Sequence, residues 1–173
     1  MDVLSEILRG VVLKGALYFN AEFSAPWAFN TPPAPELAQL LTQDAPHLVI
    51  YHFVVEGSGF LRVGNNLQIA LTAGDVVVVT NGESHEMCSA VGVGDRLSEA
   101  MKAKLQSHDL TAMQAGGGGD VARFVCGFMV CDPLLCSPIL RSLPPAFKIN
   151  LRMDHAGQWL ENLLLHLVEE ATS

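Results

Sequence analysis

Three side chains stand where their chemistry could be put to use. His52 lies in the apolar run 48–55, His85 closes segment 74–85, and Cys126 lies in the apolar run 121–130. A neutral imidazole is the commonest protein ligand for zinc, nickel and iron, and a thiolate adds a preference for zinc. A His-His-Cys set would hold a divalent metal, zinc first, if the fold brings the three together. The same residues have a plainer use. A histidine inside a core is hydrogen-bonded or lines a pocket, and free cysteine is among the most buried residue types.

Other reaction chemistry is missing. The chain has no nucleophile elbow, no Ser-His-Asp spacing and no paired carboxylates in a matching context. Asp75 belongs to a Gly-Asp turn, where Asp typically bonds its own backbone. Residues 116–119 are four glycines, but no Lys-Ser/Thr follows them and no strand precedes them, so a phosphate loop is not indicated. Consecutive glycines fix no conformation, and residues 114–120 read as a mobile lid or signalling segment. The four cysteines (Cys88, Cys126, Cys131, Cys136) form no C-x-x-C pair. Residues 1–6 carry two acids and no basic region, unlike a secretory signal, so a reducing cytoplasm is the expected compartment.

The elements that must position these residues follow from periodicity. Residues 2–8 space apolar side chains as a short helix ending near Gly10, and residues 11–23 read as strand. Segment 30–46 holds Pro32, Pro33, Pro35 and Pro46 and reads as a loop with a helical turn over 36–41. Short apolar runs at 48–55, 60–63, 67–71, 76–79 and 85–89 alternate with Gly/Asn/Asp turn clusters. That spacing predicts an all-β sandwich or barrel and excludes a parallel βαβ arrangement for this stretch. Strand alternation puts His52, Val54 and Glu56 on one face, with Tyr51, Phe53 and Val55 on the other, and turns Glu86 away from His85. Residues 95–106 read as helix, 121–130 as strand, and 134–143 as a helix capped at Asp132 and stopped by Pro144-Pro145. After an extended piece at 147–151, Asp154 caps a helix over 156–171 with a stripe of Trp159, Leu163, His166, Leu167 and Glu170.

Composition sets the class. A chain of 173 residues suits one domain, and half of it is hydrophobic, enough for a full core. The net charge is −8, with no basic stripe for nucleic acid. No apolar run approaches the ~20 residues of a membrane span.

Two turn-bounded segments carry a resemblance. Gly74-Asp75-Val76-Val77-Val78-Val79-Thr80-Asn81-Gly82-Glu83-Ser84-His85 resembles the second cupin motif, with Thr80 where proline is usual. Tyr51-His52-Phe53-Val54-Val55-Glu56-Gly57-Ser58-Gly59 resembles the end of the first, though the His-x-His and Glu ligands are not found and Ile50 falls where the Glu would stand. With Asp2-Val3-Leu4-Ser5, Phe23-Ser24-Ala25-Pro26-Trp27, Arg123-Phe124-Val125-Cys126-Gly127-Phe128, Leu143-Pro144-Pro145 and the closing helix, the order resembles the cupin-type N-terminal domain of AraC-family transcription regulators.

The resemblance implies a mainly β fold. This is a cupin double-stranded β-helix, or jelly-roll barrel, with a short N-terminal helix and a C-terminal helical extension at about 132–172 within a single domain, 1–173. It implies that His52 and His85 point inward, that Val54 and Trp27 join them around a small-molecule effector, and that Cys126 is the candidate third metal ligand, favouring zinc. It also implies a homodimer through the C-terminal helix, with no direct nucleic-acid contact, no membrane association and no catalysis by this chain. The alternative is a stand-alone metal-dependent cupin enzyme of the dioxygenase or isomerase type.

Overall fold

The computed structural model describes residues 14–41, 48–130 and 139–172. The expected helix over 2–8, the Asp132 cap, and Cys131 and Cys136 lie outside the described residues, as does the first half of the expected helix 134–143.

The chain runs β1 (Lys14–Ser24), β2 (Ala28–Thr31), α1 (Ala34–Leu40), β3 (Leu48–Glu56), β4 (Ser58–Val63), β5 (Leu67–Thr72), β6 (Asp75–Val79) and β7 (His85–Cys88). It continues with α2 (Ser98–Gln106), β8 (Met113–Gly116), β9 (Val121–Val130), β10 (Ala146–Asn150), a 3₁₀ turn (Leu151–Met153) and α3 (His155–Ala171). A six-stranded sheet has the order β10-β6-β3-β9-β1-β8, and a four-stranded sheet the order β2-β7-β4-β5. This is the expected mainly β, two-sheet architecture.

Alternation along β3 decides what goes where. Leu48, Ile50, His52 and Val54 turn into the space between the sheets, beside Phe124, Cys126 and Phe128 of β9. Phe19, Phe23, Trp27, Phe29 and Phe124 fill one part of that space, with Trp27 and Phe124 5.2 Å apart between ring centroids. Aromatic side chains bury the largest areas per residue, so this cluster is the main hydrophobic anchor of the interior. Phe53, on the other face of β3, packs outside the large sheet with Val76, Leu151 and Leu164. That outer layer seats α3. The Asp154 carboxylate accepts from the Gly157 amide at 2.7 Å and caps the helix, and Arg152 bonds Glu161 at 2.8 Å.

Two features position the β6 end. Asp75 accepts from the Thr72 amide, as the turn predicts, and also from Lys148 at 2.8 Å and Asn150 at 2.9 Å. These bonds tie β10 to the edge of the sheet. Burial pushes the Asp75 carboxyl up, but the bonds from Lys148, Thr72 and Asn150 outweigh it and hold the group below its ordinary value.

The Gly-rich segment differs from its expected mobility. Gly116 ends β8, which runs parallel to β1. The Gly117 amide donates to the Ser24 carbonyl at 2.9 Å and the Gly119 amide to the Ala25 carbonyl at 2.8 Å. The glycines serve close approach: Gly116 has φ +124, and a Cβ there would overlap the Ser24 carbonyl. The segment is hydrogen-bonded along the edge of the sheet, where composition alone suggests a free lid.

Candidate functional site

The site is built across the two sheets. His52 stands on β3 directly opposite Cys126 of β9. His85 opens β7 in the facing sheet, paired with Thr31 of β2 and Val63 of β4. All three side chains are buried. His52 Nε2 lies 2.7 Å from His85 Nε2, and His52 Nδ1 lies 2.7 Å from Cys126 Sγ. His85 Nδ1 lies 2.8 Å from the Glu83 carbonyl oxygen.

One proton arrangement satisfies every contact. A carbonyl only accepts, so His85 Nδ1 carries the hydrogen and its Nε2 is an acceptor. His52 Nε2 then donates to His85, which leaves His52 Nδ1 to accept from the Cys126 thiol. The result is a neutral chain from the Glu83 carbonyl through His85 and His52 to Cys126. Burial favours this neutrality. It drives His85 down to about 4, against a smaller upward pull from the Glu83 carbonyl. Burial, reinforced by the neighbouring His85, takes His52 well below its ordinary value. Burial also pushes the Cys126 thiol well up, so it stays protonated.

The expected zinc set does not fit this arrangement. Two nitrogens on one tetrahedral zinc, with bonds of ~2.0–2.1 Å, sit about 3.3 Å apart. The two Nε2 atoms are at hydrogen-bond separation, and Cys126 approaches the opposite nitrogen of the His52 ring. His52 meets its two partners through different ring nitrogens, so the three donors do not face one point. Among the described residues no group of three or more His, Cys, Asp and Glu is arranged to hold a metal.

The expected ligand-lining residues separate into two places. Trp27 and Val54 face a void of about 10 Å³ with Leu71, Met87 and Phe124. That is room for one water at most, and the wall is apolar, so in this structure both residues are core. His85 instead borders a surface cleft of about 370 Å³ with Asn30, Thr31, Arg62, Asn65 and Glu86. Glu86, turned away from His85 as expected, pairs with Arg62 at 2.8 Å. Thr31 is buried, and its hydroxyl finds no hydrogen-bond partner among the described residues. Sequence reading missed Thr31, because only the β2–β7 register brings it beside His85.

No helix among the described residues is long and apolar enough to cross a membrane. A family model described as cupin matches residues 2–173. No curated protein matches the chain. Among solved structures, YhaK from Escherichia coli is similar at 12% identity and TM-score 0.44, covering 86% of this chain and 54% of that one. Unsaturated fatty acid-bound ToxT from Vibrio cholerae is similar at 11% identity and TM-score 0.39, covering 93% of this chain and 56% of that one. The chain thus spans about half the length of these structures.

Proposed function

The chain belongs to the cupin family, as an AraC-type N-terminal cupin domain, and from that membership we propose that it is the ligand-sensing and dimerisation domain of a transcription regulator. The observation that carries the reading is the uncovered stripe on α3. The helix buries Leu164 on the sheet and leaves Trp159 67%, Leu163 37% and Leu167 45% exposed. Large apolar side chains at helical spacing on a surface mark an interaction face, and a two-fold copy of the same helix is the simplest complement. The exposed stripe supports the C-terminal helix as that face.

Sensing is assigned to the cleft beside His85. Its Asn30, Asn65, Arg62 and Glu86 side chains, with the unpartnered Thr31 hydroxyl, suit a small polar molecule. Such a molecule regulates only through unequal affinity for two states of the domain. DNA contact is assigned to a separate half, in keeping with the net charge of −8. The alternative metal-dependent enzyme gains no convergent ligand set from His52, His85 and Cys126.

Sedimentation equilibrium tests the reading. The parent chain is expected to be a dimer, and a Trp159→Glu/Leu163→Glu variant a monomer with unchanged circular dichroism. A parent that stays monomeric at the highest soluble concentration overturns it.

A further inference from the structure

A second cavity lies on the other side of the barrel, between β1, β9 and the two short helices. Its volume is about 160 Å³, and its wall includes Ala16, Tyr18, Leu41, Leu105, Leu110 and Phe128. It shares no lining residue with the cleft beside His85.

Tyr18 enters this cavity because of an irregularity in β1. Leu17 pairs with Gly127 and Phe19 with Cys126, so Tyr18 is an extra residue on the β1 side of the ladder. A bulge of this kind re-aims a side chain, and bulges recur beside functional sites. The Tyr18 ring is 8% exposed and packs near Phe128, 6.2 Å between centroids. Its hydroxyl is buried and has no hydrogen-bond partner among the described residues. Burial, with smaller effects of Cys126 and Tyr51, holds this phenol protonated well above its ordinary range, so it is available as a donor. One bond ties the outer wall to β1: Asn20 Nδ2 donates to the Leu110 carbonyl at 3.3 Å. At the rim His108 closes the turn after α2 in the left-handed region, φ 52.

We infer that this cavity is a binding site for a small neutral molecule with a single ring and one hydrogen-bonding oxygen, the ring against Leu105 and Phe128 and the oxygen on the Tyr18 hydroxyl. Size sets the single ring: the space is about 160 Å³, and one of about 150 Å³ admits benzene. Neutrality follows from the wall. Among the described residues no Lys or Arg lines the cavity, and His108 stands at its exposed rim, so an anion inside would lack a paired charge. The unpartnered hydroxyl sets the oxygen, since a buried donor left unpaired is costly and a ligand acceptor relieves it. The inference stands on this cavity alone and does not depend on the sensing role.

Calorimetric titration of the 173-residue chain with phenol and with toluene tests it. Phenol is expected to bind the parent more tightly than toluene. Tyr18→Phe is expected to weaken phenol about three- to tenfold and leave toluene unchanged, as for loss of one neutral hydrogen bond. Without ligand, Tyr18→Phe is expected to melt no lower than the parent, because it deletes an unsatisfied group. Ala16→Leu, which adds bulk at the exposed mouth of the cavity without touching the hydroxyl, is expected to weaken both probes. Absence of binding up to the solubility of both probes overturns the inference. So does phenol affinity indifferent to Tyr18→Phe, or affinity for both probes indifferent to Ala16→Leu. A lower melting temperature for unliganded Tyr18→Phe overturns it too, by showing that the hydroxyl already has a structural partner.

Discussion

Acidification should destabilise the fold well before its carboxylates titrate. In the unfolded chain His52 and His85 ionise near the ordinary value of 6.5, while the folded state keeps both neutral. Below 6.5 the unfolded chain therefore binds more protons than the folded one, and stability falls as pH falls. Each pH unit costs about 1.4 kcal/mol per histidine until the folded value is reached. For His85 that range runs from 6.5 to about 4, a loss of roughly 3 kcal/mol. His52 adds a loss of the same sign. A typical domain has only ~5–15 kcal/mol in total, so the effect is large.

Urea denaturation between about pH 8 and pH 5 measures it. The stability curve is expected to be level above the unfolded histidine value. It should then slope by up to about 2.7 kcal/mol per pH unit while both histidines contribute. His85→Gln should remove about half of that slope. Asp75 does not confuse the window: its depressed carboxyl gives stability above its unfolded value of 3.8 and loses it only as pH falls further. Level stability down to pH 5 would refute the neutral buried chain. Stability that rises on acidification would show instead a proton shared between the two rings.

Two further outcomes follow from the sheet edges. Asp75→Asn should cost about 2 kcal/mol, since hydrogen bonds to a charged acceptor contribute ~1.5–3 kcal/mol and Lys148 is itself partly solvated. Hydrogen exchange should show the loss first at the β10 amides. Gly116→Ala should cost about 1–3 kcal/mol through its positive φ and the Ser24 overlap. Faster exchange at the Gly117 and Gly119 amides would locate the damage, and unchanged exchange there would refute the anchored edge.

The parts of the site that depend on face were legible in the sequence. Period-two alternation places His52 with Val54 and apart from Phe53, and the structure divides them between the interior and the outer layer. The expected neighbour Cys126 is the direct cross-strand partner of His52. Periodicity cannot say which ring nitrogen meets which partner, and a zinc site depends on that detail. Nor does it register an extra residue: Leu17-Tyr18-Phe19 reads as continuous strand, yet Tyr18 is the bulge. The glycines at 116–119 were read from composition as freedom, where the packing uses them for contact. The segment of Trp27 is compatible with a ligand rim or with core packing, and its ring packs in the core with Phe19, Phe23, Phe29 and Phe124.

The polar trio has a cost that its position helps to explain. Well-packed apolar side chains in place of a buried polar set are often neutral or stabilising, and here they would also remove the acid sensitivity. What they would not supply is a link between the cleft and the large sheet. His85 borders the cleft and is held to His52 by one hydrogen bond. A ligand that drew His85 Nε2 away would leave the His52 N–H buried without an acceptor, so β3 would have to adjust or the ligand would bind less well. The next residue on β3 is Phe53, which packs in the outer cluster with Leu164 of α3. The same helix carries the uncovered Trp159 and Leu163. Under the proposed sensing role, these contacts join the cleft to the helix face proposed for dimerisation.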